Sequence, residues 1–235
     1  MALVNFDVYS LRARTLPMFI ALFPLATICA AWTPGVLSLA TGAAGATVLG
    51  GASFFASQLA RNAGKRREPY LWRLWGGSPT TQLLRHRDGG LNPHQKDRYH
   101  AILRRLGEVV PTAQEEREDP RAADQRYDAC TRRLISLTRK QERFPLVFKE
   151  NINFGFWRNL WALKPMGVTL ALLALALCAA QVWPTGPFPF AEPGLVGGGI
   201  DVAILLVWIF WVSPDAVRIP AKAYAERLLE ACTEL

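Results

Sequence analysis

Hydrophobic residues in this chain are gathered into four blocks that polar, charged stretches separate. The blocks are Leu16–Trp32, Val36–Ala60, Met166–Trp183 and Leu195–Val212. A helix that crosses the ~30 Å hydrocarbon core of a bilayer needs roughly 20 mostly apolar residues. Each block is close to that length, so the pattern predicts four transmembrane helices. The first block is slightly short, and we expect its helix to begin earlier, near Tyr9, with a kink at Pro24.

The alternative interpretation of the first block is that it belongs to a cleaved signal peptide. A second apolar block follows directly after the Thr33–Gly35 turn, and no small-residue cleavage signal stands in a suitable place. The sequence therefore favours a retained transmembrane helix.

The segment between the second and third blocks has a helical pattern. Asn92 and Asp119 are each followed by proline, which is typical of an N-cap and the first helical residue. Ser78 or Thr80 could cap another helix after the Gly76-Gly77 turn. The acidic stretch Thr112–Asp119 is expected to be an exposed connection.

One predicted helix carries a regular apolar stripe. Its residues recur at intervals of 4, 3, 4 and 3: Ala123, Tyr127, Cys130, Leu134 and Leu137. The stripe is too short to establish an intermolecular coiled coil, so packing within the chain is favoured.

The predicted fold is therefore all-α, with four transmembrane helices and a helical cytoplasmic domain between spans 2 and 3. Residues 1–60 form transmembrane helices 1 and 2, and residues 61–164 form the basic helical domain. Residues 165–213 form transmembrane helices 3 and 4, and residues 214–235 form a cytoplasmic C-terminal helix.

Charge sets the expected topology. The net charge is +8, and residues 61–164 hold 22 of the 27 Lys and Arg against 12 Asp and Glu. The connections at residues 33–35 and 184–194 contain no basic residue. Because basic residues concentrate on the cytoplasmic side of membrane proteins, both termini and residues 61–164 are expected in the cytoplasm.

Catalytic and metal-binding signals are missing from the sequence. Cys29 and Cys178 lie in predicted spans, and Cys130 and Cys232 lie in predicted cytoplasmic helices, without a C-x-x-C pair. The three histidines are too few and too unevenly spaced to indicate a metal. No nucleophile, phosphate-loop or zinc motif is present. We expect no enzyme activity, no metal and no cofactor.

Two features inside the apolar blocks suggest more than anchoring. Ser38, Gly42, Ala46 and Gly50 recur every four residues, a spacing that allows close helix contact in lipid. The ladder indicates either an oligomeric or pore-lining seam, or packing against the first span.

Asp201 is the ionisable residue set within a span, and such residues usually face a bundle interior or water. It is a candidate pore or gate residue, together with Gly42, Ala46 and Gly50. The alternative is that the span begins after Asp201, with Gly197–Gly199 in the interface.

The segment Arg66–Asp88 mixes basic and aromatic residues. Its basic side chains are Arg66, Arg67, Arg73, Arg85, His86 and Arg87, and its aromatic ones are Tyr70, Trp72 and Trp75. Such a mixture suits anionic lipid surfaces, and it also suits single-stranded nucleic acid. From the residues alone, interfacial anchoring beside the second span is favoured.

Three stretches carry a resemblance to a known family. They are EPYLWRLWGGSPTTQLLRHRD at Glu68–Asp88, LNPHQKDRYHAILRR at Leu91–Arg105 and KENINFGFWRNLWALKPMG at Lys149–Gly167. Together they resemble the membrane effectors of the Hailong anti-phage defence system, which are small four-span proteins of bacterial defence loci. The similarity extends over most of the chain.

The resemblance implies a multi-pass protein of the bacterial inner membrane that forms a homo-oligomer, with a tetramer favoured. A nucleotidyltransferase encoded nearby would make single-stranded DNA oligomers that bind the cytoplasmic domain and hold a pore or depolarising channel closed. Loss of the oligomers during infection would open it. The matched positions expected to contact DNA are Trp75, Thr80, Arg85, His86, Arg158 and Asn159.

The resemblance also explains why only Lys164-Pro165 separates the preceding polar and aromatic segment from the third apolar block. A segment carrying Arg158 and Asn159 runs into the third block without a flexible linker, as a coupler between a sensor and a pore would, with Pro165 as a hinge. Two other functions stay open: a non-catalytic membrane anchor for a cytosolic partner, and a small lipid-acting membrane enzyme.

Overall fold

The chain folds into helices. The structure is a computed structural model that describes residues 8–32, 43–182 and 192–235, and these residues contain no β-strand. The predicted all-α class is confirmed. Helix α1 is continuous and comprises Val8–Ser10, a π-helical stretch Leu11–Thr15, and Leu16–Trp32. The described residues begin at Val8, so this helix includes Tyr9, and the residue at which it starts stays a prediction.

The later helices follow in chain order. They are α2 (Ala43–Trp75), α3 (Pro79–Leu84), α4 (Pro93–Arg105), α5 (Ala113–Glu118), α6 (Pro120–Leu137), α7 (Pro145–Ala162), α8 (Lys164–Val182), α9 (Glu192–Leu206, continued by a π-helical turn Val207–Trp211) and α10 (Pro214–Ala231, followed by a 3₁₀ turn Cys232–Glu234).

These helices divide into two compact units. The first unit draws on Met1–Glu68 and Gly155–Val217, and the second on Pro69–Phe154 and Arg218–Leu235. The predicted boundaries after residues 60 and 164 concern where the membrane ends, and they stay predictions.

Two segments of the first unit are long and apolar enough to cross a membrane: Val8–Cys29 and Gly194–Trp211. Helices α7 and α8 could form a third span as a bent pair. The predicted second span, Val36–Ala60, begins outside the described residues, and its described part is not among these candidates. The structure thus supports a membrane protein with two or three spans in its described part.

The bend between α7 and α8 lies at Leu163 and measures 55°. Pro165 stands two residues later and has no N–H to donate to the preceding turn. The bend therefore coincides with the predicted hinge. Beyond it, Gly167 lies against the indole of Trp208, with no room for a Cβ atom.

The second unit has its own hydrophobic core. Four members of the predicted stripe on α6, namely Ala123, Tyr127, Cys130 and Leu134, are buried in it together with residues of α3, α4 and α10. Leu137 is half-buried at the end of the helix. The prediction that the stripe packs within the chain is confirmed.

The predicted caps are also present. The side chain of Asn92 accepts a hydrogen bond from the His94 N–H at 3.0 Å, and that of Asp119 accepts from Arg121 and Ala122. Of the two residues proposed to cap α3, Ser78 is the N-cap and Thr80 lies inside the helix.

Candidate functional site

Residues Trp75–Pro79 of the first resembling stretch, a W-G-G-x-P motif, form a turn around Arg85. Gly76 and Gly77 have φ of +80° and +139°, which side chains rarely allow. Arg85 Nη2 donates to the Gly76 carbonyl at 2.8 Å, and a Cβ atom on Gly77 would lie 2.5 Å from the same nitrogen. The two glycines therefore make room for a buried guanidinium.

Acidic residues complete the surroundings of this arginine. Arg85 Nε and Nη2 donate to the Asp124 carboxylate at 2.7 and 2.9 Å, and Nη1 lies 3.4 Å from Asp88. Burial opposes the charge, but the hydrogen bonds and charge of Asp124 outweigh it and raise the pKa of Arg85. Arg85 links the Gly76-Gly77 turn to α6.

Glu116 is the second centre of this network. Its carboxylate accepts from the backbone N–H groups of His86 and Arg87 at 2.8 and 3.1 Å, from Arg87 Nη1 at 3.0 Å and from the Tyr127 hydroxyl at 2.8 Å. Burial would raise its pKa, but these hydrogen bonds outweigh burial and keep the pKa below its ordinary value. Burial and the hydrogen bond to Glu116 raise the pKa of Tyr127.

Glu116 corrects the expectation for Thr112–Asp119. Most of that stretch is exposed as expected, but Ala113–Glu118 form the short helix α5, and Glu116 is only 2% exposed. A signal for the helix was present in the sequence: Thr112 and Glu115 have capping-box spacing, and both reciprocal hydrogen bonds form. The inward orientation of Glu116 has no such local signal.

Two of the three histidines, His86 and His100, lie beside this network. The rings of His86 and His100 meet edge to face with centroids 4.7 Å apart, and His100 Nε2 lies 2.7 Å from the Leu84 carbonyl. Burial lowers the pKa of His100. The described residues contain no group of three His, Cys, Asp or Glu that could hold a metal.

Arg158 and Asn159 lie inside the first unit. Arg158 Nη1 donates to Glu68 at 2.5 Å, and Asn159 Nδ2 donates to the Ala13 carbonyl at 2.7 Å. Both side chains are buried, at 5% and 1% exposed. A Cβ atom on Gly64 would overlap the Asn159 amide. The pair thus joins α7 to α1 and α2 within this unit.

The predicted DNA-contacting residues therefore separate into two sets. Trp75, Thr80, Arg85, Arg158 and Asn159 are buried, and His86 is half-buried. Arg66, Arg67, Arg73 and Arg87 are exposed, although Arg87 pairs with Glu116 and Asp124. The structure gives the buried set internal roles, and their contact with a ligand stays a prediction.

Trp75 belongs to an aromatic cluster in the second unit. Its ring lies 5.6 Å from that of Trp72, and Trp72 stacks on Phe154 at 6.1 Å. Tyr70, by contrast, is half-exposed, three residues before the exposed Arg73 on α2. Of these two aromatic side chains, Tyr70 is accessible to solvent and Trp75 is buried.

Further basic side chains on the second unit point to solvent. In the described part of the chain none of them has an ion-pair partner: Arg98, Arg104, Arg105, Arg117, Arg121, Arg139, Lys140 and Lys149. The sequence pattern around the W-G-G-x-P motif did not single them out, because they lie outside the aromatic-rich stretch.

The predicted pore residues are placed as follows. Gly42 lies outside the described residues, and Ala46 and Gly50 lie in α2. The next position at this spacing is Phe54, which is 60% exposed, so the ladder of small residues ends at Gly50. A separate set of small residues, Ala56, Ala60 and Gly64, is buried on α2 at intervals of four.

Asp201 lies within a candidate span and is 0% exposed. Both of its carboxyl oxygens are 3.0 Å from the Thr27 hydroxyl on α1, and Cys178 Sγ on α8 is 3.8 Å from Oδ2. Asp201 therefore faces the interior of three packed helices, and its position relative to the membrane boundary stays a prediction.

Comparisons with protein-family models, with curated proteins and with solved structures gave no match.

Proposed function

We propose that the protein is a ligand-gated membrane effector whose pore or depolarising channel is held closed by single-stranded DNA oligomers. It would cross the bacterial inner membrane four times, with both termini in the cytoplasm, and assemble as a homo-oligomer, with a tetramer favoured. The resemblance to Hailong effectors supplies the defence role and the nearby nucleotidyltransferase as functional partner.

The observation that carries the proposal is the set of exposed, unpaired basic side chains on the second unit. Arginines needed for the fold, such as Arg85, are internal and neutralised by carboxylates. The eight exposed basic side chains named above have no such partner in the described residues, and their positive charge suits a phosphate backbone. This distribution supports a polyanion ligand.

The first unit supports the membrane role. Large apolar side chains on its candidate spans are exposed, including Phe23, Val196, Phe210 and Trp211. Helices α1, α7 and α9 border an apolar groove of about 750 Å³, which is lined by Ile20, Leu160 and Trp208 among other residues. Such surfaces suit lipid or another apolar helix and are costly in water.

DNA binding is tested with purified protein and a labelled oligothymidylate by fluorescence anisotropy over a range of salt. Replacing both Arg104 and Arg105 with Gln should weaken binding and flatten the log–log salt slope by about 0.7 for each phosphate that the variant no longer neutralises. Arg227→Gln is the matched control, because Arg227 is already paired with Glu230. Wild-type protein without salt-sensitive binding would overturn the ligand assignment.

Conductance is tested separately in liposomes. Purified wild-type protein should release a small dye or carry current, and the oligonucleotide should suppress that flux. The double variant should lose suppression at oligonucleotide concentrations that close the wild type. Absence of flux under all conditions would favour the membrane-anchor function instead.

A further inference from the structure

Asp201, Thr27 and Cys178 form a buried cluster of polar side chains. The Thr27 hydroxyl in it lies near more hydrogen-bond acceptors than it can donate to. Thr27 Oγ1 lies 2.6 Å from the Pro24 carbonyl and 3.0 Å from both carboxyl oxygens of Asp201. A threonine hydroxyl has one hydrogen to donate, and a carbonyl oxygen can only accept. The shortest of the three contacts therefore takes the hydroxyl hydrogen.

If the Thr27 hydroxyl donates its hydrogen to the Pro24 carbonyl, it has none left for Asp201. The contact between Thr27 and Asp201 then lacks a donor unless the Asp201 carboxyl supplies one. An ionised carboxylate would place its lone pairs 3.0 Å from the lone pairs of the hydroxyl oxygen. A protonated carboxyl donates to Thr27 Oγ1 and accepts from the Cys178 thiol, whose Sγ is 3.8 Å from Oδ2. All three groups are then satisfied.

No counter-charge offsets an ionised Asp201 in the described residues. The elements packed against it contribute Thr27 from α1 and Cys178 from α8, both neutral. The Lys164 ammonium of α8 instead donates to the carbonyls of Ile209 and Val212, eight and eleven residues beyond Asp201. Glu192, the first residue of α9, is nine residues away, about 14 Å along the helix.

An unpaired carboxylate buried among helices in lipid is strongly disfavoured, so a group in that position binds a proton or finds a cation. Close packing leaves little room for a cation here. A Cβ atom on Gly197 would lie 3.2 Å from Cys178 Sγ and 3.7 Å from the Thr27 Cβ, which shows how closely α9 approaches both neighbours.

We propose that Asp201 is an intramembrane proton-binding site whose bound proton completes the hydrogen bonds joining α1, α8 and α9. Separation of these helices would admit water, and the carboxyl would then release the proton and ionise as a solvated aspartate does above about pH 4. The packed state holds one proton more than the separated state, so a rise in pH favours separation. The ratio of separated to packed protein should rise up to tenfold per pH unit.

The proton itself is detected by infrared difference spectroscopy of the purified full-length protein. Wild type at pH 7 should show the C=O stretching band of a protonated carboxyl that shifts in heavy water and is missing from Asp201→Asn. Thr27→Val, which removes the hydroxyl but keeps the shape, should shift the band, and Thr27→Ser should restore it. A wild-type spectrum without the band overturns the proposal.

The pH dependence gives a second test, which rests on the proposed pore. Flux through liposomes containing wild type should rise with pH by up to tenfold per unit, whereas Asp201→Asn, whose amide keeps a donor for Thr27, should show no slope. An equal slope in both proteins overturns the link between this proton and packing. A carboxyl band without any flux supports the proton site and counts against the pore function alone.

Discussion

At the residue scale, the partners of a charged side chain determine whether it is buried or exposed. The density of charge in the surrounding sequence does not. Arg85 and Glu116 lie in highly charged stretches, yet both are buried at the centre of one network. The sequence indicated the abundance of basic and acidic residues, but not which of them turn inward. That choice depends on partners such as Asp124 and Tyr127, which lie more than ten residues away in the chain.

Glu116→Gln tests the stabilising role of this carboxylate. The amide has one acceptor oxygen instead of two and brings two donors toward groups that already donate. We expect a loss of about 1–3 kcal/mol in the free energy of unfolding, or roughly 2–12 °C in melting temperature. Glu118→Gln, on the exposed side of α5, is the matched control and should change stability by less than about 0.5 kcal/mol.

The same substitution predicts a pH dependence. Because hydrogen bonds hold the pKa of Glu116 below its ordinary value, the ionised group stabilises the fold above about pH 4.3. This stabilisation is lost as the pH falls through the lower, folded-state pKa. Melting curves of wild type and Glu116→Gln should therefore converge in acid, and a constant difference from pH 7 to pH 3 would contradict the assignment.

Tyr70 tests base stacking at an exposed ring. If single-stranded DNA stacks there, Tyr70→Ala should weaken binding by about 1–3 kcal/mol per stacked base, while Tyr70→Phe, which keeps the ring, should bind nearly as wild type. Anisotropy titrations at one fixed salt concentration measure both variants. Equal affinity of all three proteins would remove Tyr70 from the proposed interface.

At the element scale, the sequence predicted most where the signal is local. The caps at Asn92 and Asp119 and the stripe on α6 depend on residues a few positions apart, and all are confirmed. Helix α5 was missed because its capping box lies in a run of charges that resembles a solvated loop. The bend at Leu163 combines a local proline with packing of Gly167 on Trp208, and only the proline is visible in the sequence.

Helix α2 offers a matched pair of glycines. Gly64 lies against Asn159 without room for a Cβ atom, whereas a Cβ atom on Gly51 would meet nothing within 4 Å. Gly64→Ala should displace the amide from the Ala13 carbonyl and destabilise the first unit by about 1–3 kcal/mol. Gly51→Ala should be neutral or stabilise by up to about 1 kcal/mol, because alanine favours a helix. Thermal unfolding in detergent measures both, and equal effects would contradict the close contact at Gly64.

At the scale of the whole molecule, two chemically different units follow from the block pattern of the sequence. Apolar blocks concentrate in one unit, and most basic residues belong to the other. The candidate site was less predictable, because a motif can serve the fold instead of binding a ligand. The W-G-G-x-P turn makes room for Arg85, and this structural role accounts for its two glycines. The exposed basic residues carry the functional proposal instead.

Topology is the most general prediction at this scale. All Lys and Arg lie outside the connections at residues 33–35 and 184–194, so the charge bias predicts four spans with both termini in the cytoplasm. Fusions of a periplasm-active phosphatase and a cytoplasm-active fluorescent protein at Gly186 and at Leu235 should give opposite results. The phosphatase should be active only at Gly186, and the fluorescent protein should fluoresce only at Leu235. Phosphatase activity at Leu235 would mean that the chain ends in the periplasm, and it would overturn the four-span arrangement on which the gating proposal depends.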